Sequence, residues 1–559
     1  MKPAYKWIAL SNTTIGMLLA TVNATSILIA MPVIFRGIDI NPLDPANFSY
    51  LLWLLMGYMV VSAVLVVTAG RLGDMFGRTR VYNLGFAIFT LAAVGLTFVW
   101  SRGSAGAIEL IAFRMLQAIG GAMLMASGAA IITDAFPANQ RGFALGINMI
   151  AAMAGSFLGI VIGGVLAAIN WRWIFAVNVP IGALGTVWGF WQLREVGLRH
   201  RGRIDWIGNL TFAAGLAMVL IGVTTGLQPY GGSSMGWSNP EVLLLVLGGL
   251  AVLALFAYWE TRTPEPMFHL ELFSIRAFTL GNLAGMLGAV ARGGLQFMLI
   301  IWLQGIWLPL HGYDYTQTPL WAGIYMLPMT IGFLVAGPLS GMLSDRYGAR
   351  PFATSGMLLS AATFGALMLL PADFSYPVFG LLIFLNGVAM GLFASPNTAA
   401  IMNSVPARHR GVASGIRVTF QNVGMPLSIS LFFTLMIVGL NATVPDALFS
   451  GLTANGVPAA LAHQLAALPP ISYLFASFLG YNPLATLLGP VLGQLPPADV
   501  ANLTGRTFFP SLISGPFQHG LVLVLGFSIA ASLVAAVASA LRGGRYIHEE
   551  AHEEVAVVA

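Results

Sequence analysis

Cysteine does not occur once in the 559 residues, which removes disulfides, thiolate nucleophiles and soft metal sites together. Charge is almost as scarce. Asp, Glu, Lys and Arg make up 8% of the chain, against about 25% in soluble domains. With 57% hydrophobic residues, a soluble fold would expose apolar surface everywhere, so the composition requires a bilayer. No phosphate-binding loop is present, which argues against nucleotide-driven pumping. The net charge of +5 comes without a basic patch interleaved with aromatics, which argues against nucleic acid as a partner. Acid is missing where a proton path would need it. Of the 20 Asp and Glu, none falls deep in an apolar run: Glu109 and Asp134 sit near the two ends of the fourth, Glu241 near the start of the eighth, and the rest in loops, turns or the tail.

What the chain does have is long apolar runs. Roughly 20 helical residues cross a hydrocarbon core, and such runs are read at 8–34, 50–70, 81–100, 107–132, 142–168, 173–192, 205–225, 240–259, 278–308, 318–340, 351–371, 376–403, 411–438 and 516–541. The start, Met1 to Lys6, has a signal-like charge pattern, but the run behind it is too long for a signal core and is read as a retained first helix. The spacing predicts an all-α polytopic membrane protein with fourteen transmembrane helices. With both ends cytoplasmic, 18 of the 25 Lys and Arg fall on the inner side, four (Arg36, Arg102, Arg172, Arg506) outside, and three (Arg114, Arg292, Arg417) inside runs; the positive-inside rule sets the orientation.

The chain echoes itself. Gly70-Arg-Leu-Gly-Asp-Met-Phe-Gly-Arg-Thr-Arg80 has a weaker copy at Gly341 to Arg350, with Gly70, Asp74 and Gly77 matching Gly341, Asp345 and Gly348 at an offset of 271. Phe136 to Gly146 matches Val405 to Gly415 at an offset of 269. Two echoes at nearly one period indicate duplicated halves of six helices each, the build of many secondary transporters. The expected organisation is an N-terminal bundle at 1–192, a linker and inserted hairpin at 193–276, a C-terminal bundle at 277–541 and a cytoplasmic tail at 542–559. Within the second bundle, 439–515 reads as a long outer loop, too long to be a mere connection. Its apolar pieces, Ile471 to Pro483 and Leu488 to Pro496, are too short to cross. They are expected to lie on the membrane or over a cavity mouth as an external cap.

The 70–80 turn resembles the loop signature of the major facilitator superfamily, and the whole chain is similar to its fourteen-helix drug/proton antiporter branch. Further matches are Trp53 and Tyr58, Arg114 with Gln117 and Gly120, Gly159 to Gly164, Trp171 to Gly182, and Ala322 to Pro328. The resemblance implies a major facilitator fold of two pseudo-symmetric six-helix bundles plus a two-helix insertion. It also implies alternating access, with Asp74 joining the bundles near the start of span thirteen at Arg410 and Gly411. Gly70, Gly73, Asp74, Gly77, Arg78, Asp345 and Gly411 are therefore the expected conformational residues. The family's fourth-helix arginine matches Arg114 and is linked to proton coupling; Glu109, Asp134 and Asn23 are the other coupling candidates. Two positions depart from the pattern. Asn23 stands where the branch usually carries aspartate, and Ile160 where it carries proline.

Polar residues placed to line a path are Thr25, Gln117, Arg292, Gln296, Gln304, Asn386, Asn397, Gln421 and Asn422, although one interhelical hydrogen bond would use each equally well. Arg417 lies near enough to an end to snorkel. The function expected from the resemblance is proton-coupled export of amphipathic organic compounds, a drug efflux activity, from the plasma membrane by a monomer. Alternatives are a lipid or lipid-conjugate transporter and a non-transporting membrane sensor. No catalytic residue, metal site or cofactor is expected. Beyond the bilayer, the expected partners are a small amphipathic or lipid substrate and protons.

Overall fold

The computed structural model describes residues 5–543 apart from 42–43, 45–46, 197–204, 265, 407–409 and 480–481. Fourteen helices are long and apolar enough to cross a membrane. They are α1 (Tyr5–Gly37), α2 (Phe48–Phe76), α3 (Arg78–Thr97), α4 (Gly103–Ala135), α5 (Ala138–Ile169), α6 (Arg172–Gln192) and α7 (Trp206–Thr225). The second series is α8 (Pro240–Glu260), α9 (Arg276–Leu310), α10 (Thr318–Ser344), α11 (Ala349–Met368), α12 (Tyr376–Asn403), α13 (Arg410–Ala454) and α14 (Phe508–Leu541). Among the described residues there is no strand beyond one isolated bridge, Tyr230 to Ser233. In lipid the backbone must satisfy itself within each crossing segment, and helices do so.

Glycine decides how the helices pack. Gly155, Gly159 and Gly163 form a row on α5 that meets α1 at Leu18, Val22 and Ser26; a Cβ at Gly163 would lie 2.6 Å from the Ser26 carbonyl oxygen. Lipid offers no hydrophobic drive between helices, so close backbone approach supplies the packing instead. With Ile160 in place of proline, α5 runs unbroken beside α1.

The duplication is visible in this packing. A Cβ at Gly85 of α3 would meet the Gly120 carbonyl oxygen and the Leu124 nitrogen of α4, and one at Gly356 of α11 would meet the Ala389 oxygen and the Phe393 nitrogen of α12. Those pairs are separated by 271, 269 and 269 residues, the offsets of the two sequence echoes. The turns agree as well. Gly77 (φ 108°) and Gly348 (φ 85°) both end a helix with a backbone angle that glycine alone adopts freely. Their N–H groups donate to Gly73 at 3.0 Å and Ser344 at 2.8 Å.

The long segment differs from the sequence expectation at both ends. Helix α13 continues to Ala454 and α14 begins at Phe508, so the piece outside the long helices is 455–507 rather than 439–515. Polar residues such as Asn441, Thr443 and Asp446, with Pro445 among them, read as loop, yet they extend a helix already nucleated below. Within 455–507 the chain forms short helices, each started by proline, which needs no N–H partner at that position: Ala459–Ala466, Pro470–Phe478, Leu484–Leu487, Gly489–Leu492 and Pro497–Leu503. This segment marks one end of the molecule, the capped end; Gly77 and Gly348 mark the other, the turn end.

Candidate functional site

Deep in the first bundle, α1, α2 and α4 bring Asn23, Tyr58, Arg114 and Gln117 together. Arg114 Nη1 donates to Asn23 Oδ1 and, at 2.8 Å, to Gln117 Oε1. Its guanidinium lies 4.3 Å from the Tyr58 ring centre, a cation–π contact that carries part of the cost of a buried charge. Asn23 and Gln117 are 0% exposed and Arg114 is 2% exposed. No carboxylate forms an ion pair with Arg114 among the described residues. The Asn23 and Arg114 positions, which sequence reasoning paired only as coupling candidates, are thus in direct contact.

At the turn end, Arg78 bridges two acids. It meets Asp74 Oδ1 at 2.8 Å and Asp134 Oδ1 at 2.7 Å, so the end of α2 is tied to the end of α4 within one bundle. The helix start that a carboxylate caps is α3: Glu195, beyond α6, accepts from the backbone N–H of Arg78 at 3.0 Å and of Thr79 at 3.2 Å. An anion at a helix N-terminus satisfies orphan donors and the local dipole. Sequence reasoning assigned Asp74 a different helix start, that of span thirteen near Arg410 and Gly411, and missed Glu195 at this one, since it lay inside a basic run. Asp345 and Gly411 fall on helical backbone, and otherwise they lie outside the described residues, as do the side chains at the start of α13 that Asp74 was expected to meet.

The capped end is closed by side chains from both bundles and from the segment above them. All nine residues of the helix Pro470–Phe478 are buried. Phe475 packs against Phe35 of α1 and Phe48 of α2, with ring centres 5.6 and 6.1 Å apart. Phe478 meets Phe297 of α9 at 5.2 Å, and Phe433 of α13 meets Phe48 at 5.6 Å. Ser477 Oγ donates to the Gly305 carbonyl at 3.1 Å, where α9 widens into a π turn over Trp302–Trp307. Such turns free backbone groups and recur at functional sites. Tyr473 donates to Leu465 at 2.6 Å, and burial pushes its hydroxyl pKa up. The expected cap is therefore a wedge set between the halves, rather than a layer lying on the membrane. Nearby, Gly164 of α5 abuts Leu320 of α10, and Gly323 abuts Ile160.

Residues 13–429 match the Major Facilitator Superfamily. The chain belongs to that superfamily. It is 29% identical to the riboflavin transporter RibZ of Clostridioides difficile, over 76% of this chain and 87% of that one. It is 28% identical to the tetracenomycin C resistance and export protein of Streptomyces glaucescens, over 79% and 78%. With the multidrug transporter protein MdtP of Bacillus subtilis the identity is 28%, over 78% and 76%. In fold it is similar to a bacterial homologue of the human lysosomal transporter Spinster, with TM-score 0.57 at 17% identity over 97% and 98% of the two chains. It is also similar to a D-xylose–proton symporter, with TM-score 0.53 at 14% identity over 85% and 97%. The protein is a polytopic membrane transporter, not an enzyme, and its relatives include proteins named for multidrug transport and antibiotic export, consistent with the drug-efflux branch.

The transporter's remaining candidate residues are scattered. Gln304 donates to the Ile29 carbonyl of α1 at 3.4 Å and so crosses between bundles. Thr25 donates to Thr21 of its own helix at 3.0 Å. Asn386 donates to Thr363 at 2.9 Å, and Asn397 joins Gly281 at 3.1 Å and Arg542 at 2.5 Å. Arg292 donates to the Gly288 carbonyl at 2.9 Å, and Gln421 accepts from Arg417 at 3.3 Å. Gln296 and Asn422 are half-buried and Gln421 is exposed. Glu109 accepts from Ser101 at 2.7 Å and is not paired with Arg114.

One acid was overlooked as a buried group. Glu260, read from sequence as part of a loop, is 4% exposed. It accepts from the Phe268 N–H at 3.0 Å and holds the linker against the inserted hairpin. Asp205 caps α7 through Gly208 at 2.8 Å and accepts from Trp259 of α8 at 2.9 Å. Arg71 of α2 donates to the Pro266 carbonyl at 3.1 Å. The signal for this clasp was present as Asp205-Trp206 and Trp259-Glu260, acids beside tryptophans at the ends of one hairpin.

Proposed function

We propose that the protein is a secondary active exporter of amphipathic organic compounds working by alternating access, with the turn end in the cytoplasm and the capped end outside the plasma membrane. The observation that carries this reading is the wedge helix Pro470–Phe478, which sits in the seam between the two bundles at the capped end and touches α1, α2 and α9 through aromatic rings. An outward-open state requires that seam to part. The arginine bias toward the turn end supports the orientation, and the export names of relatives support the direction of movement.

Proton coupling in this reading uses the carboxyls at the two ends of α4, Glu109 and Asp134, because the membrane interior holds none nearer the middle. Asp74 acts on the conformational equilibrium through Arg78. A lipid or lipid-conjugate substrate is the second reading, favoured by the apolar wedge and the acid-free interior. The test is efflux from proteoliposomes under an imposed pH gradient, with a dye panel, riboflavin and a fluorescent phospholipid as cargo. Gradient-dependent dye efflux supports the main reading, gradient-dependent lipid movement supports the second, and no movement of any cargo refutes both.

A further inference from the structure

The amide oxygens of the cluster around Arg114 are already taken, and donors are left over. A guanidinium can only donate, and its Nη1 is bonded to both Asn23 Oδ1 and Gln117 Oε1. Those bonds fix which way each amide faces, since a reversed amide would set N–H against N–H. The consequence is that Asn23 Nδ2, Gln117 Nε2 and Arg114 Nε are all buried without a partner. Three donor groups and a whole positive charge therefore share one site with no ion-pair partner among the described residues. Such a set is unfavourable in a low-dielectric interior unless an acceptor enters it. The position where the branch usually carries aspartate is occupied by Asn23, so the protein itself supplies no carboxylate there.

We propose that this cluster is a substrate subsite for a carboxylate carried on an apolar scaffold. The inference rests on the transporter reading and deepens it by fixing the sign of the substrate's charge. A carboxylate brings two oxygens with about four lone-pair positions. These acceptors would answer the unpartnered donors Arg114 Nε, Asn23 Nδ2 and Gln117 Nε2, and the anion would neutralise the guanidinium. A quaternary ammonium brings no acceptor and adds a second positive charge, which makes it the ligand the site rejects.

The experiment uses the full chain in lipid nanodiscs and measures calorimetric binding of three naphthalenes bearing a carboxylate, a carboxamide or a trimethylammonium group. The carboxylate is expected to bind at least about tenfold tighter than the ammonium. Asn23→Asp keeps an acceptor for Arg114 but removes the Nδ2 donors and cancels the charge. It is expected to weaken carboxylate binding about tenfold or more while thermal unfolding stays at or above the parent's. Gln117→Glu should act in the same direction and stands in should the first variant fold poorly. If the cluster only held α1 to α4, both variants would keep the parent's carboxylate affinity. That outcome overturns the proposal, as do equal affinities for the three probes, preference for the ammonium, or no carboxylate binding by the parent. Because binding is read without transport, selective carboxylate binding in a protein that moves no cargo in proteoliposomes would refute the exporter reading and leave the subsite standing.

Discussion

At the capped end the two bundles meet through rings supplied partly by the wedge, whereas at the turn end they meet through a hairpin and linker that belong to neither bundle. There, Val60 and Val64 of α2, Phe212 and Leu216 of α7, Phe268 and Leu272 of the linker, Ile401 of α12 and Ala413 and Ile416 of α13 form one apolar cluster. The difference lies in attachment. The wedge is chain between α13 and α14, so it is tethered to the second bundle, and its ring contacts with the first are those of Phe475 with Phe35 and Phe48. In the proposed alternating access, opening that end would break those two contacts together with Phe433–Phe48 and the approach of α5 to α10 at Gly164 and Gly323. Asp205 ties the two helices of the hairpin together, Glu260 ties the hairpin to the linker, and Arg71 ties the linker to α2.

Phe475→Ala breaks this comparison hardest. It removes the ring shared by Phe35 and Phe48 and leaves a cavity, at a cost of about 3–5 kcal/mol for a buried phenylalanine. A lower unfolding temperature and faster proteolysis within 455–507 are expected, with the turn end unchanged by hydrogen exchange. Gly305→Val comes next. A Cβ there would lie 2.5 Å from Ser477 Oγ, and such overpacking costs about 1–3 kcal/mol. The wedge should undock while α9 remains helical, seen as increased labelling of a cysteine placed at Ser477.

Asp74→Asn probes the turn end. Arg78 keeps Asp134, and the pair with Asp74 is partly exposed, so folding should change by about 1 kcal/mol or less. The expected effect is on the rate of conformational exchange, read as altered spin-label distances between α2 and α13 with unchanged melting. A parent-like distance distribution and transport rate would remove Asp74 from the conformational machinery.

Fourteen crossings were legible because length and apolarity are enough to identify a helix in lipid, and the duplicated turns were legible because Gly77 and Gly348 answer one backbone demand. The wedge was not. Its apolar pieces were plain in the sequence, but whether a nine-residue apolar helix lies on a membrane or between bundles depends on what is opposite it, and Phe35, Phe48 and Phe297 are more than 170 residues away in the chain. Glu195 and Glu260 were hidden for a related reason, since a carboxylate beside a helix end looks like loop charge until the N–H groups of Arg78 or Phe268 are brought to it. The Arg114 contact with Asn23 needed the approach of α1 to α4, which glycine spacing hints at without fixing the register.

The smallest effect belongs to the cap's polar rim. Arg506 meets Asp314 at 3.0 Å, an exposed pair worth about 0.2–1 kcal/mol, so Arg506→Ala should barely alter melting. The backbone N–H and hydroxyl of Thr316, and then Arg506, hold the Asp314 carboxyl below its ordinary range. A depressed carboxylate pKa contributes stability that is present above the unfolded value of about 3.9 and is lost only as pH falls through the lower folded value. Wedge docking, followed by labelling at Ser477, should therefore not vary through this pair between about pH 5 and 8.

The central claim, that the wedge must leave the first bundle for transport to proceed, is tested most directly by locking it there. The chain has no cysteine of its own, so Phe35→Cys with Phe475→Cys gives a single site for a disulfide or short bismaleimide bridge between α1 and the wedge. The expected result is loss of transport in proteoliposomes when the bridge is formed and recovery when the disulfide is reduced, with each single variant still active. A bridged protein that transports at the rate of its reduced form would contradict the account.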